Sequence, residues 1–185
     1  MTAPKTRTTL KVPGSLIADP TNLSAASPYG GTRLGLVKMM SFNFGSQFHP
    51  ITAEEWGGIT SEVIHCGYTA TFACALRGLD NDALSAVFPD AGTGSPSGDQ
   101  KIRIRATSGR AGTLLSTLSL KLLFEPEAPL RHKAILIRDA IPVIAEDAAL
   151  RLSKSEEQIV NVLFHARPDS SDRIAEIGFI GDMTL

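Results

Sequence analysis

Hydrophobic and polar residues alternate along most of the chain with the period of two that is typical of half-buried β-strands. The clearest case lies within residues 61–77, where Tyr68, Phe72 and Leu76 share one face and Thr69 and Thr71 share the other. The same pattern predicts strands at residues 32–44, 101–105, 114–124, 132–145, 148–152, 156–167 and 172–180. Strands this close together, with turn residues between them, favour an antiparallel β-sandwich or barrel of about seven or eight strands.

One segment departs from the strand pattern and predicts a short α-helix beside the sheet. Asp80 or Asn81 can cap its first turn, and Leu84 and Val87 belong to its apolar stripe. Pro89 then ends it, because the residue before a proline is disfavoured in helical conformation.

The first 30 residues contain four prolines and no sustained periodicity, which predicts an extended N-terminal arm over residues 1–30. Such an arm either frays or becomes ordered on a neighbouring subunit. Residues 31–185 are then a single β-domain. Within it, turn-forming residues such as Gly45 and Pro50 predict a long hairpin loop over residues 41–60.

The arm, the loop and one strand supply candidate contacts between subunits. These candidates are Tyr29 of the arm, Phe44, Phe48, Ile51 and Trp56 of the loop, and the basic stripe Lys101, Arg103 and Arg105. Two alternatives stay open. Trp56 either packs on its own domain or anchors an interface, and the basic stripe is either a solvated face or pairs with acidic residues of a neighbour.

Composition and net charge argue against several classes of function. The chain has 185 residues, of which 43% are hydrophobic and 20% charged, as in ordinary folded proteins. A net charge of −1 argues against strong binding to nucleic acid or to an anionic membrane. We find neither a signal peptide pattern nor an apolar run long enough to span a bilayer, so we expect folding in a cytoplasm. If Cys66 and Cys74 both lie on one predicted strand, they are roughly 26 Å apart, which argues against a disulfide between them.

Candidate chemistry is weak throughout the sequence. The glycine-rich stretch at residues 92–98 lacks the Gly-Lys-Ser/Thr of a phosphate-binding loop. His49, His65, His132 and His165 show no metal-ligand spacing, and there is no Gly-x-Ser-x-Gly motif. We therefore expect no catalytic, cofactor-binding or metal-binding residues, and a protein that is not an enzyme.

From about residue 60 to residue 180 the chain resembles phage tail tube proteins. The resemblance rests on GYTATF at 67–72 followed by LDNDAL at 79–84, LSLKLLFEP at 118–126, LIRDAIP at 136–142, LRLSKSEEQ at 150–158 and VNVLFHARPD at 160–169. Members of this family similarly pass from a polar Glu-Gln turn into a strand that ends Phe-x-Ala, followed by a turn with Pro and Asp.

The resemblance implies a small β-sandwich or barrel with a flanking helix, six copies of which close into a ring. Stacked rings form a tube that conducts DNA without binding it specifically, and the arm and the 41–60 loop would lock one ring onto the next. The implied partners are further copies of the chain, a baseplate or initiator complex, a terminator and, in a contractile tail, a sheath. The implied location is the phage tail in the virion, assembled in the host cytoplasm, with no membrane partner.

Two other interpretations remain from the sequence. The chain is alternatively a different phage morphogenesis protein, such as a tail terminator, a tube initiator or a decoration protein, and ring formation without stacking would favour a terminator. A β-sandwich module that binds a carbohydrate or a receptor would need a groove with exposed aromatics. The aromatic fraction of 6% and the single tryptophan argue against that module.

Overall fold

A computed structural model describes residues 13–53, 59–77, 87, 92–93, 102–103, 114, 118–143 and 159–185. The strands among them are β1 (Gly14–Ala18), β2 (Thr32–Ala53), β3 (Ile59–Arg77), β4 (Gly92–Thr93), β5 (Ile102–Arg103), β6 (Leu120–Pro126), β7 (Ala134–Val143), β8 (Ile159–Arg167) and β9 (Ala175–Gly178). A 3₁₀ turn at Ile180–Asp182 follows β9. The prediction of a mainly antiparallel β fold is confirmed.

Six of the strands close into a barrel. Their order is β1-β2-β3-β8-β7-β6, and β6 pairs with both β7 and β1, so that the sheet returns to its starting strand. Every pairing in it is antiparallel. β8 pairs with the second half of β7, while β9 pairs with its first half through Ala134–Ile137.

The barrel interior is filled by the apolar residues that alternate along its strands. Phe72 and Phe164 face each other across the β3–β8 pair with ring centroids 6.2 Å apart, and both are almost fully buried. Gly14 is required where β1 meets β6, because a Cβ there would collide with the Phe124 ring and the Glu125 carbonyl. The interior therefore depends on close packing between neighbouring strands as well as on alternation.

A second, smaller core lies on the outer side of β1, β6 and β7. Ile17, Leu123 and Leu136 point into it, and the C-terminal residues Ile180 and Met183 cover them. Because both faces of these strands are buried, β1 has the burial pattern of a central strand over all five residues.

Arg138 is the charged residue that this second core encloses. It is 6% exposed and donates hydrogen bonds to Glu176 on β9 and to Thr184. Arg173 Nη1 lies 3.7 Å from the same Oε1 atom of Glu176. The Nη2 atom of the buried guanidinium is therefore paired, whereas its buried Nε has no hydrogen-bond partner among the described residues. The pairing at Nη2 ties β7 to β9 and to the C-terminal segment.

The prediction of an extended arm over residues 1–30 is wrong for residues 13–30. Residues 14–18 form β1, which is hydrogen-bonded on both sides to β2 and β6. Asp19 then accepts a hydrogen bond from the backbone of Lys121 at 2.9 Å, which ties the following loop to β6. β1 shows no alternation because both of its faces are buried. Residues 1–12 lie outside the described residues.

The prediction of a long loop over residues 41–60 is also wrong. β2 continues through Ala53, β3 begins at Ile59, and residues 54–58 lie outside the described residues. The pairing of β2 with β3 shifts register at Gln47/Phe48 and at Ile51/Thr52. Such β-bulges allow the two strands to stay paired through a segment that contains residues typical of turns.

Other predicted elements are only partly described. Of the predicted helix at residues 80–88, the structure describes Val87, which is helical and buried. The predicted strand at 148–152 lies outside the described residues. The predicted strand at 114–124 begins only at Leu120.

Candidate assembly surface on the β2–β3 hairpin

β2 and β3 extend beyond the barrel as a two-stranded hairpin. β1 pairs with β2 only as far as Val37, and β8 pairs with β3 only as far as Ala70. The pairing of β2 with β3 continues to Ala53 and Ile59, which adds roughly 26 Å of ribbon beyond Gly45 at the usual rise per residue. Within the part of the chain that the structure describes, no third strand joins this ribbon.

One face of the hairpin is aromatic. Phe44, Phe48 and Tyr68 are 66%, 61% and 58% exposed on it. His65 joins them, with its ring centroid 4.5 Å from that of Tyr68 and 5.7 Å from that of Phe48. We call this surface the aromatic face; its members are Phe44, Phe48, Val63, His65 and Tyr68.

The aromatic face continues the interior side of the barrel. Phe42 packs against the barrel core, and its ring centroid lies 6.0 Å from that of Phe44, two residues further along the same strand. Phe42 stands opposite Phe72, and Phe44 stands opposite Ala70. The alternation that fills the barrel therefore persists beyond the point where other strands enclose it, and the same residue types become exposed.

A β-bulge keeps the aromatic residues on one face. Gln47 pairs with Gly67 and Phe48 pairs with His65, so Cys66 is the extra residue on β3. Without that extra residue, one strand beyond the bulge would turn its side chains to the other face. Gly67 has a φ of 122°, a conformation that favours glycine beside such a bulge. Cys66 itself is exposed and has a free thiol.

Eight positions on the opposite face of β2 and β3 and on the outer faces of β8 and β7 form a second surface, which we call the uncharged face; the next row along β8 and β7 holds the Arg167–Asp139 ion pair. Two rows cross its four strands in register: Asn43, Thr71, His165 and Ile141 in one, and Ser41, Ala73, Leu163 and Val143 in the other. These eight described positions carry no Asp, Glu, Lys or Arg. On an ordinary solvent-facing sheet about a quarter or more of them would be charged.

Phe44, Phe48 and Ile51 lie on the projecting hairpin and are exposed, where the sequence placed contact candidates. Of the others, Trp56, Lys101 and Arg105 lie outside the described residues. Arg103 belongs to β5, which pairs with β4, and the structure describes its backbone alone.

Tyr29 was predicted as a contact residue, and the structure contradicts that interpretation. Its side chain is 7% exposed in the second core, and its hydroxyl donates a 2.7 Å hydrogen bond to Glu125 on β6. Ser27 donates to the other oxygen of the same carboxylate, also at 2.7 Å. Burial and the Glu125 carboxylate together raise the pKa of Tyr29 to about 12. Tyr29 therefore fastens the β1–β2 connection to its own barrel.

Sequence reasoning missed the β3 half of the aromatic face. Tyr68 was assigned to a strand face but not to a contact surface, His65 was considered only as a possible metal ligand, and Val63 was not considered. The length of the strand was the sequence feature that could have indicated a projecting segment. β3 has 19 residues, far more than a small barrel needs to span, so part of it has to project.

The described residues contain no group of three or more His, Cys, Asp or Glu side chains placed to hold a metal ion. Among the same residues, no helix is long and apolar enough to cross a membrane. The sequence matches no protein-family model, and it matches no curated protein significantly.

Proposed function

We propose that the chain is a structural subunit of a phage tail tube, which forms rings of six copies that stack around a channel for DNA. The observation that carries the proposal is the projecting hairpin with its exposed aromatic face. A two-stranded ribbon is marginally stable by itself in water, and a hydrophobic surface on it is typical of a segment that docks on a partner.

The energetics favour docking of the aromatic face. Burying a phenylalanine side chain contributes about 1.5–3 kcal/mol relative to leaving it in water. Phe44 and Phe48 both have most of their surface available for such burial. Tyr68 adds an aromatic ring with a hydroxyl that can find a hydrogen-bond partner, a combination that is common at protein interfaces.

The architecture suits contacts between identical copies. The barrel body is closed and has its own core, so the subunit can fold before it assembles. In the proposed contact, the hairpin of one copy docks on the barrel of the next copy. Two different surfaces then meet, so the contact is head-to-tail. Head-to-tail contacts close into rings when the rotation permits, and rings that repeat the contact along an axis become tubes.

The uncharged face is a suitable channel wall. DNA carries a dense array of phosphates, and lysine or arginine contacts to them would hold it in place. The eight positions of the uncharged face offer no lysine or arginine contact and no carboxylate, and the charged groups of the next row, Arg167 and Asp139, pair with each other at 2.6 Å. We assign this face to the channel for that reason.

The further partners follow from the same proposal and from the sequence resemblance. Rings need an initiator or baseplate complex to start from and a terminator to stop at, and a contractile tail would add a sheath. The location would be the virion tail. None of these roles requires catalysis or a cofactor.

Negative-stain electron microscopy of the purified chain at rising concentration, with and without a baseplate extract, tests the proposal. Hollow tubes or stacked six-fold rings with a central hole are expected. Single rings that never stack would identify a terminator instead. Monomers under every condition would contradict assembly and shift attention to a decoration or binding role.

A further inference from the structure

His65 is an exposed histidine that lies among the rings of the aromatic face. It stands opposite Phe48 in the β2–β3 pairing, and its ring centroid lies 5.7 Å from that of Phe48 and 4.5 Å from that of Tyr68. The next residue, Cys66, is the extra residue of the β-bulge and has an exposed thiol. Histidine is the side chain whose charge ordinarily changes between about pH 5 and about pH 8. The aromatic face therefore exists in an uncharged form and in a form that carries a positive charge in contact with two aromatic rings.

The described part of the hairpin offers no carboxylate on this face to pair with a protonated His65. Among its residues 46–53 and 59–69, the one carboxylate is that of Glu62, which pairs with Ile51 on the opposite face. His49 pairs with Ile64 on that opposite face as well. These two segments contain no lysine or arginine. A positive charge on the aromatic face is therefore stabilised by water and not by an ion pair within the described hairpin.

We propose that protonation of His65 closes the aromatic face to apolar partners. Docking withdraws the face from water, and a charge that leaves water without a partner is costly. The rings of Phe48 and Tyr68 attract a cation, but this attraction is weak compared with the loss of hydration. The neutral imidazole therefore docks and the protonated one resists docking. That the partner is a second copy of the chain rests on the proposed function, whereas the effect of the proton does not.

Proton linkage gives the direction and the size of the effect. The free subunit takes up the proton on His65 more readily than the docked one, because only the docked face has left water. Docking therefore releases up to one proton for each contact, and the association constant falls as the pH falls. For a typical histidine this amounts to roughly a tenfold fall between about pH 7.5 and about pH 5.5.

Sedimentation velocity between about pH 7.5 and about pH 5.5 tests the inference, with His65→Phe and His49→Phe as a matched pair. Each substitution replaces an exposed histidine of the ribbon with phenylalanine, one on the aromatic face and the other on the opposite face. On acidification we expect the association constant to fall roughly tenfold for wild type and for His49→Phe, and less than about twofold for His65→Phe. Circular dichroism at both ends of the pH range checks that the three proteins stay folded.

A tenfold fall that persists in His65→Phe would overturn the inference. Association of wild type that strengthens in acid would overturn it as well, because the partner would then supply a group that favours the cation. Wild type with the expected pH dependence but with assemblies that are not tubes would support the effect of the proton and contradict the proposed function.

Retention on a phenyl column is a second readout, and it does not require assembly. The comparison of wild type with His65→Phe cancels the contribution of the other titrating groups. We expect acidification to shorten the retention of wild type more than that of His65→Phe. If wild type stays monomeric at every pH, this difference still supports control of the face by the proton and removes the second copy as its partner. Equal responses of the two proteins to pH would overturn the inference.

Discussion

β2 and β3 pass through two environments, and the contrast between them is the central lesson of the molecule. Inside the barrel, Phe72 is 1% exposed between neighbouring strands, whereas Phe44 is 66% exposed on the hairpin, two residues along β2 from Phe72's partner Phe42. The sequence alternation is the same in both places. What differs is the number of strands that pair with the ribbon in the part of the chain that the structure describes. The same residue types therefore stabilise the fold at one end of the ribbon and are exposed at the other.

The largest expected effect on folding comes from a deletion that removes β1, compared with a shorter deletion that stops before it. Deleting residues 1–18 removes β1, which bridges β2 and β6, and opens the closed sheet. We expect no cooperative unfolding transition for that variant in circular dichroism or calorimetry. Deleting only residues 1–12 keeps β1 and should leave a folded subunit. A sharp transition in the longer deletion would show that the barrel does not depend on β1.

The next-largest expected effect is a difference in the free energy of unfolding between alanine substitutions of two phenylalanines, one on β3 and one on β2. Phe72→Ala leaves a cavity beside Phe164 and should lower the free energy of unfolding by about 3–5 kcal/mol. Phe44→Ala should change it by no more than about 0.5 kcal/mol, because the side chain is already largely in water. Urea unfolding of the unassembled subunit measures both values. Equal losses would mean that the hairpin is part of the core.

The smallest expected effect concerns the Tyr29 hydrogen bond. Tyr29→Phe removes the hydroxyl that donates to Glu125 and should cost about 1 kcal/mol near neutral pH. The pKa of Tyr29 is raised from its usual 10.0 to about 12, so the folded state holds this proton more tightly than the unfolded chain does. Its contribution is complete below pH 10 and is lost as the pH rises to 12.

The difference in stability between wild type and Tyr29→Phe should therefore shrink from pH 8 to pH 12. Burial also raises the pKa of the Cys74 thiol, but that group is common to both proteins and cancels in the comparison. A difference that stays constant over this range would show that the hydroxyl does not titrate with folding.

The sequence predicted the strands whose two faces differ. β3 and β8 were found by their alternation and β7 by a run of apolar residues, and the antiparallel class followed from their spacing. β1 was missed because the five residues Gly14–Ala18 are buried on both faces and do not alternate. No local pattern distinguishes such a segment from an irregular arm, because its burial is created by distant parts of the chain.

The candidate surface was located only in part, for a similar reason. Phe44, Phe48 and Ile51 were recognised as exposed apolar residues, but Gly45 and Pro50 indicated a loop. The strand tolerates both residues because bulges interrupt its pairing with β3, and because no strand among the described residues pairs with its other edge there. Tyr29 was misread because its contact with Glu125 joins residues 96 positions apart, and no spacing rule predicts such a contact.

The most direct test of the central claim is sedimentation velocity of wild type and of a Phe44→Ser/Phe48→Ser variant over a range of concentrations. If the aromatic face is the assembly surface, wild type forms larger species as concentration rises. The double variant then stays monomeric with an unchanged thermal transition. A double variant that assembles like wild type would contradict the account and assign the hairpin another role.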